Sequence, residues 1–330
     1  MNTSYASALG SWARNMVSAL LLTSLAACTT TSQEPAMDSP AQAAVGATGR
    51  YTIPLADIGT AALLDCAREQ GVTLLQAHRA GPVPGAAENS INAINRSLTD
   101  GALLVEIDVA RSADGVLVLM HDDTLDRTTT GTGHVNAQSY AALSVLELKD
   151  NAGMATGETV PTLVQALQVL DGRGIAQLDR KRSVNVAEIA AVVEAREAFD
   201  KVVFITYTVP EAIDLYRQFP QALISTGINS LDDLEALRAA GVPFDQLMAW
   251  LGLGHGNREL DQALAELGIE SSYGDFDAER DGSVDYRRMA DNGGEVLSVD
   301  HVRAAAQALD APDAVSRLLA DCTPPLASRF

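Results

Sequence analysis

Glu106 and Asp108 stand two residues apart in "LLVEIDVA" (103–110), a run otherwise made of Val, Ile, Leu and Ala. Residues i and i+2 of a strand point to one face, so the two carboxylates share a side while Val105, Ile107 and Val109 take the other. Two carboxylates turned inward together need a counter-charge. A divalent cation supplies one, and oxygen ligands favour a hard ion, Mg2+ or Ca2+. The chain then reaches "SADGV" (112–116), where Asp114-Gly115 is a strong turn dipeptide. The midpoint between Glu106 and His121 falls at Ala113-Asp114, so a strand that turns there and returns brings His121 level with the acids.

Two other stretches carry groups of the same kind. "QAHRAG" offers His78 and Arg79, and "QLDRK" offers Asp179 and Lys181 on one face. Both follow apolar strand-like runs, and barrel enzymes place catalytic groups at the C-terminal ends of their strands. On a barrel, two histidines, three carboxylates, an arginine and a lysine therefore meet at one rim. Such a set suits metal-assisted cleavage of a phosphodiester. Cations neutralise charge on the phosphoryl oxygens, and imidazoles move protons to and from the reacting hydroxyls.

The ordered stretch "AHRAG…AENSINAI…GALLVEIDVARSADGVLVLMHDDTLDRTTTGTG" resembles the glycerophosphodiester phosphodiesterase family, whose pattern runs HRG, PEN, ExD, then HD followed by L-x-R-T-T. "VPTL" and "LDRK" are similar to its next strand-end motif. The resemblance is dense over 76–133 and continues to 181. It implies a divalent cation held by Glu106, Asp108 and Asp179, with His78 and His121 as the acid–base pair. It also implies Arg79 and Lys181 as phosphate-binding cations, Glu88 as a support of the metal site and Asn89 as a support of its loop. Three residues depart from the pattern: Ala80 for glycine, Ala87 for proline, and Asp179 where glutamate is commoner. None of these removes an acid, a base or a phosphate cation. Gly81 stands ready to take the tight turn, and the shorter Asp179 raises the question of direct or water-mediated ligation.

These residues need a frame to hold them. Strand-like runs at 73–77, 103–110, 174–179, 201–206, 221–225, 245–250, 268–273 and 295–300 alternate with helical patterns at 88–98, 161–170, 185–199, 209–219, 230–240, 257–267, 284–292 and 302–320. Asn185 and Asn229/Ser230 read as helix caps. Eight strand–helix units predict an α/β fold, a (β/α)8 TIM barrel with a short insertion at 122–160 after the second strand's hairpin. The competing doubly wound sheet lacks a GxGxxG after its first strand. Tyr207, Trp250, His255, Tyr273 and Phe276 fall near later strand ends as pocket-wall candidates. His134 and His301 have no partner in the pattern and are expected to face solvent.

The chain has 330 residues, 47% of them hydrophobic, and 23 basic against 43 acidic side chains. A net charge of −20 repels nucleic-acid phosphates and argues against a duplex-binding role. "MVSALLLTSLAA" (16–27) follows Arg14 and is too short to span a bilayer, which reads as a signal peptide over 1–27. "LAAC" resembles a bacterial lipobox and marks Cys28 for lipidation. Residues 28–55 read as a flexible tether and 56–330 as one phosphodiesterase domain. The expectation is an exported protein, lipid-anchored to a bacterial membrane and facing the periplasm or the exterior, with a small glycerophosphodiester as substrate. Cys66 and Cys322 form an even pair for an oxidising compartment, bridged or free. The residues also leave room for a two-carboxylate glycosidase, a lysophospholipid- or sphingolipid-directed phosphodiesterase, and a non-catalytic phosphodiester-binding lipoprotein.

Overall fold

Short Val-, Ile- and Leu-rich runs bounded by Gly, Asp and Asn become strands because both of their faces are covered. The computed structural model describes residues 50–254 and 256–322. The leader at 1–27, Cys28, most of the tether and His255 lie outside the described residues.

The strands are β1 (Leu74–Ala77), β2 (Leu104–Arg111), β3 (Leu117–Leu119), β4 (Glu147–Lys149), β5 (Ala155–Thr159), β6 (Ile175–Arg180), β7 (Val202–Thr206), β8 (Leu223–Gly227), β9 (Leu247–Leu253), β10 (Glu270–Gly274) and β11 (Val296–Val299). Every pairing from β2 through β6, β7, β8, β9, β10 and β11 to β1 is parallel, and β1 pairs with β2 to close the ring. The eight expected strand positions all become ring strands, so the barrel expectation holds. β3 lies outside the ring, antiparallel to β2.

Period-two alternation sorts the strand residues into two cores. Leu104, Ile175, Val203, Leu223, Met248 and Val296 point inward and close the N-terminal end together with Leu63, Leu64 and Leu318. Their neighbours Val105, Ile107, Ala176, Leu178, Phe204 and Ile224 face the surrounding helices. Because Glu106, Asp108 and Asp179 fall in phase with Leu104 and Ile175, they too point inward, nearer the other mouth.

The expected helices form on their caps. Asn185, Ser230 and Thr162 each make a capping box, with Glu188, Asp233 and Gln165 respectively. Two boundaries differ from expectation. The 302–320 pattern is two helices, Val302–Leu309 and Ala311–Cys322, broken where Asp310 takes a left-handed φ of 51°. The assigned tether ends early, because Tyr51, Ile53 and Leu55 are buried under the barrel floor and belong to the domain.

The insertion carries its own small core, including Val118, Met120, Leu125, Val135, Leu143, Leu148 and Val160. β4 and β5 form a two-stranded antiparallel sheet within it. Ala87, the residue in the proline position, packs into this core, so the lost proline is replaced by buried contact.

A disulfide joins Cys66, on helix Thr60–Glu69, to Cys322, with a Cα–Cα distance of 6.2 Å across 256 residues of chain. It clamps the two helices that cover the floor. Replacing both cysteines by serine should lower unfolding free energy by roughly 2–5 kcal/mol. A wild-type Tm that does not respond to reductant would contradict this.

Also at the floor, Glu270 accepts from Arg68 at 2.9 Å. Burial nevertheless pushes its carboxyl up to about 7 from an ordinary 4.5, with Asp65 adding to the rise and Arg68 opposing it. A carboxyl raised on folding contributes stability that is complete below pH about 4.5 and is lost as pH climbs through about 7. Glu270→Gln should flatten the pH dependence of Tm across that window, and an unchanged slope would rule Glu270 out as its source.

Candidate active site at the C-terminal mouth

The β2–β6 register places Asp108 beside Asp179 and Glu106 beside Gln177. One oxygen from each of Glu106, Asp108 and Asp179 lies within 4.8 Å of the others. All three residues are buried. The structure thus brings together the three carboxylates that the sequence pattern proposed as ligands.

Lys181 reaches into this cluster, its Nζ 2.5 Å from Asp108 Oδ1 and 2.6 Å from Asp179 Oδ2. Burial works against the ammonium charge, yet the two aspartates hold the lysine above its ordinary value. Burial also acts against Asp108, but Lys181, His121 and Asn89 together keep its carboxyl below the usual range. Glu106 has no such relief. Burial first, then the charges of Asp108 and Asp179, push its carboxyl well above the usual range, and the Arg79 backbone N–H at 2.7 Å offsets this only in part. Lys181, expected on phosphate oxygens, is committed here to two of the acids.

Asp179 has both oxygens engaged, since the Tyr207 hydroxyl donates to Oδ1 at 2.6 Å. Burial and then Asp179 push the Tyr207 phenol upward, so it remains a donor. Tyr207, expected as a pocket wall, is therefore the residue that holds the shorter acid.

The turn after β1 is tightly bent. Arg79, Ala80 and Gly81 all take left-handed conformations, with φ of 48°, 66° and 68°. Each non-glycine residue there costs roughly 1–2 kcal/mol. The bend is held by the Arg79 N–H on Glu106 and by the Arg79 carbonyl, which accepts from Asn89 N–H at 2.9 Å. Gly81 is required for space as well as for φ, because a Cβ there would collide with Ser97 Oγ and Val302 Cγ2.

Glu88 and Asn89 exchange the roles expected of them. Asn89 meets an acid of the carboxylate cluster directly, donating from Nδ2 to Asp108 Oδ2 at 2.6 Å and accepting from the Asp108 N–H at 2.9 Å. Its left-handed φ of 58° is one that asparagine tolerates. Glu88 instead receives a two-pronged contact from Arg127, at 2.8 and 2.7 Å, and lies 3.6 Å from Arg79. It organises arginines, not the carboxylate cluster.

β3 pairs Leu119 with Val109, and Met120 N–H donates to the Asp108 carbonyl at 2.9 Å. His121 therefore returns to the level of the acids, as its spacing required. Its Nδ1 is 2.7 Å from Asp122 Oδ1 and its Nε2 is 2.7 Å from Arg79 Nη2. A guanidinium only donates and a carboxylate only accepts, so the ring carries its proton on Nδ1 and presents a lone pair at Nε2. Asp122 is shared with Arg127, whose hydrogen bonds hold its carboxyl below the usual range. His78, at the end of β1, pairs its Nδ1 with Asp300 Oδ1 at 2.8 Å and stacks on Phe276 with ring centroids 4.1 Å apart.

Other expectations resolve differently. Tyr273 is fully buried, with its hydroxyl on the Met289 carbonyl, and is packing, not a wall. Phe276 serves the histidine, and Trp250 is partly exposed on β9. His134 and His301 face solvent as expected. Sequence reasoning missed Arg127 and Asp300. The first sits in the L-x-R-T-T stretch, five residues after Asp122, and the second ends "EVLSVD", a strand-end position like those of His78 and Asp179.

Comparison with known proteins follows the same residues. The model of the glycerophosphoryl diester phosphodiesterase family matches residues 78–222. A glycerophosphodiester phosphodiesterase of Caldanaerobacter subterraneus is 37% identical over 99 residues, and glycerophosphodiester phosphodiesterase 1 of Bos taurus is 39% identical over 94. These stretches cover 30% and 28% of this chain, and span only 40% and 28% of the two relatives' own lengths. A crystal structure of a glycerophosphoryl diester phosphodiesterase from Parabacteroides distasonis superposes with a TM-score of 0.68 at 27% identity, over 73% of this chain and 87% of that one. An Oleispira antarctica phosphodiesterase, solved in complex with the product sn-glycerol-3-phosphate, shares the fold at TM-score 0.57 and 22% identity, over 74% of this chain and 99% of that one. The motif residues gathered at one barrel mouth all lie within 78–222, the stretch that is similar to the glycerophosphodiester phosphodiesterase family.

Proposed function

We propose that this protein cleaves glycerophosphodiesters to glycerol 3-phosphate and an alcohol, in a reaction dependent on one divalent cation, Mg2+ or Ca2+. The observation that carries the reading is a three-carboxylate cluster, its oxygens within 4.8 Å, at the same mouth as two imidazoles that each lean on a carboxylate of their own. The relative solved with sn-glycerol-3-phosphate supports the product assignment.

The donor set fits a divalent ion. Three carboxylates and the Lys181 ammonium sum to a formal −2, which such an ion cancels. Burial, and then Asp108 and Asp179, raise the Glu106 carboxyl, and a cation's charge would act against that rise. Glu106, Asp108 and Asp179 would hold the ion through hard oxygen atoms. When bound, it supplies charge neutralisation at the phosphoryl oxygens.

The chain's own side chains do the rest. Arg79, between Glu88 and His121, offers a planar fork of N–H donors to a phosphoryl oxygen. Lys181 fixes both aspartates and adds positive charge beside the phosphorus. One imidazole takes a proton from the attacking water as its oxygen bonds to phosphorus, and the other gives a proton to the alcohol oxygen as its bond to phosphorus breaks. Both rings hold a carboxylate through Nδ1, so Nε2 is the working nitrogen in each. Export and a lipid anchor at Cys28 belong to the same proposal. The leader-like run, the "LAAC" tetrad and the Cys66–Cys322 disulfide, a bond of oxidising compartments, support it.

Chelation should abolish release of glycerol 3-phosphate, and added Mg2+ or Ca2+ should restore it. In the same buffers the ion should raise the wild-type Tm, by an amount equivalent to about 2.7 kcal/mol at a hundredfold excess over Kd, and leave Asp108→Asn unmoved. Cleavage indifferent to chelator would overturn the metal dependence. His121→Ala should lower kcat by roughly 100-fold or more. Turnover near wild type would remove His121 from the proton transfers.

A further inference from the structure

Glu279 is buried in the β10–β11 region, and among the described residues no lysine or arginine pairs with it. A lone buried carboxylate is costly unless its hydrogen bonds are satisfied. Here three donors meet it. The Tyr286 hydroxyl donates to Oε1 at 2.6 Å, the His301 N–H to Oε1 at 3.0 Å, and the Asp300 N–H to Oε2 at 2.8 Å. Two of these donors are successive backbone amides, so the effect of Glu279 is to fix the chain where Asp300 leaves β11.

Asp300 in turn holds His78. Its Oδ1 lies 2.8 Å from Nδ1, while Phe276 stacks nearly parallel to the ring, with an interplanar angle of 14°. The carboxylate fixes the proton on Nδ1, and the phenyl fixes the plane of the imidazole. The two histidines differ in what backs them. Asp122, behind His121, gives much of its charge to Arg127, whereas no lysine or arginine pairs with Asp300 among the described residues. Among the described residues the His78 ring is thus the side chain that Asp300 pairs with.

We propose that Asp300, anchored by Glu279 and Tyr286, is a positioning residue for phosphodiester cleavage. It keeps His78 in the Nδ1–H form with Nε2 turned to the substrate, and it stabilises the ring when Nε2 takes up a proton. The role in turnover rests on the activity proposed above, but the control of the ring does not.

The test uses the full chain with Asp300→Asn, a change of nearly equal shape. In Ser-His-Asp enzymes the corresponding change costs about 10^4 in kcat because the ring takes the wrong tautomer. Here kcat for glycerol 3-phosphate release should fall by about 100-fold or more, with KM and Tm close to wild type. Long-range 1H–15N correlations, assigned against His78→Gln, should show His78 protonated on Nδ1 in the wild type and shifted toward Nε2–H in the variant. Glu279→Gln, which keeps one acceptor oxygen, should produce a smaller fall in kcat. Equal kcat together with an unchanged tautomer in Asp300→Asn would overturn the proposal. If the wild type releases no glycerol 3-phosphate, the activity reading fails by itself. The tautomer measurement then still decides whether Asp300 governs His78.

Discussion

Glu106, Asp108 and Asp179 bring three like charges within 4.8 Å of one another in a space with little water. Such a cluster persists only because its surroundings supply opposite charge and hydrogen bonds. Lys181 meets two of the acids, Asn89 meets one, Tyr207 fills the last oxygen of Asp179, and a backbone amide meets Glu106. The partners come from three connections: Arg79 and Asn89 follow β1, Lys181 follows β6 and Tyr207 follows β7. Containing this repulsion therefore ties β1, β2, β6 and β7 together at one mouth, and it accounts for the bent backbone at Arg79 and Ala80. Those residues accept left-handed conformations so that an amide can face Glu106.

A second layer of order stands behind the first. Neither histidine is held by packing alone, since each has a carboxylate on Nδ1. The carboxylates are then held by different segments, Asp122 by Arg127 of the insertion and Asp300 by the Glu279 cradle. A guanidinium bridge governs one ring, and a buried carboxylate met by three uncharged donors governs the other. The insertion, which adds nothing to the closed ring, is therefore part of the candidate site through Arg127 and its grip on Glu88.

Much of this was legible in the residue order. Short apolar runs alternating with helical patterns located all eight ring strands, because a parallel sheet covered on both faces leaves near-continuous apolar runs. The i and i+2 acids and the turn at Asp114-Gly115 sufficed to place His121, since strand geometry leaves no other register. Partnerships between residues remote in sequence were not legible. Asp300 is 222 residues from His78, and no local pattern joins them. Glu88 and Asn89 are adjacent, and which one turns toward Asp108 depends on the left-handed backbone at Asn89, a tertiary effect. The end of the tether was misjudged for a related reason. Tyr51, Ile53 and Leu55 form too short an apolar pattern to read as structure until the floor they cover is present.

β3 has a consequence of its own. It is joined to the rest by β2 on one side and by contacts with Thr162 and Pro161 on the other, while every ring strand is clasped by two full neighbours. Local opening in proteins draws on segments with few partners, at less than the free energy of global melting. If the β3 edge peels away, His121 and Asp122 leave with it while the eight-membered ring and its acid cluster stay shut. Such an opening leaves the closed barrel and its three buried carboxylates as they are and parts one imidazole of the mouth from the other.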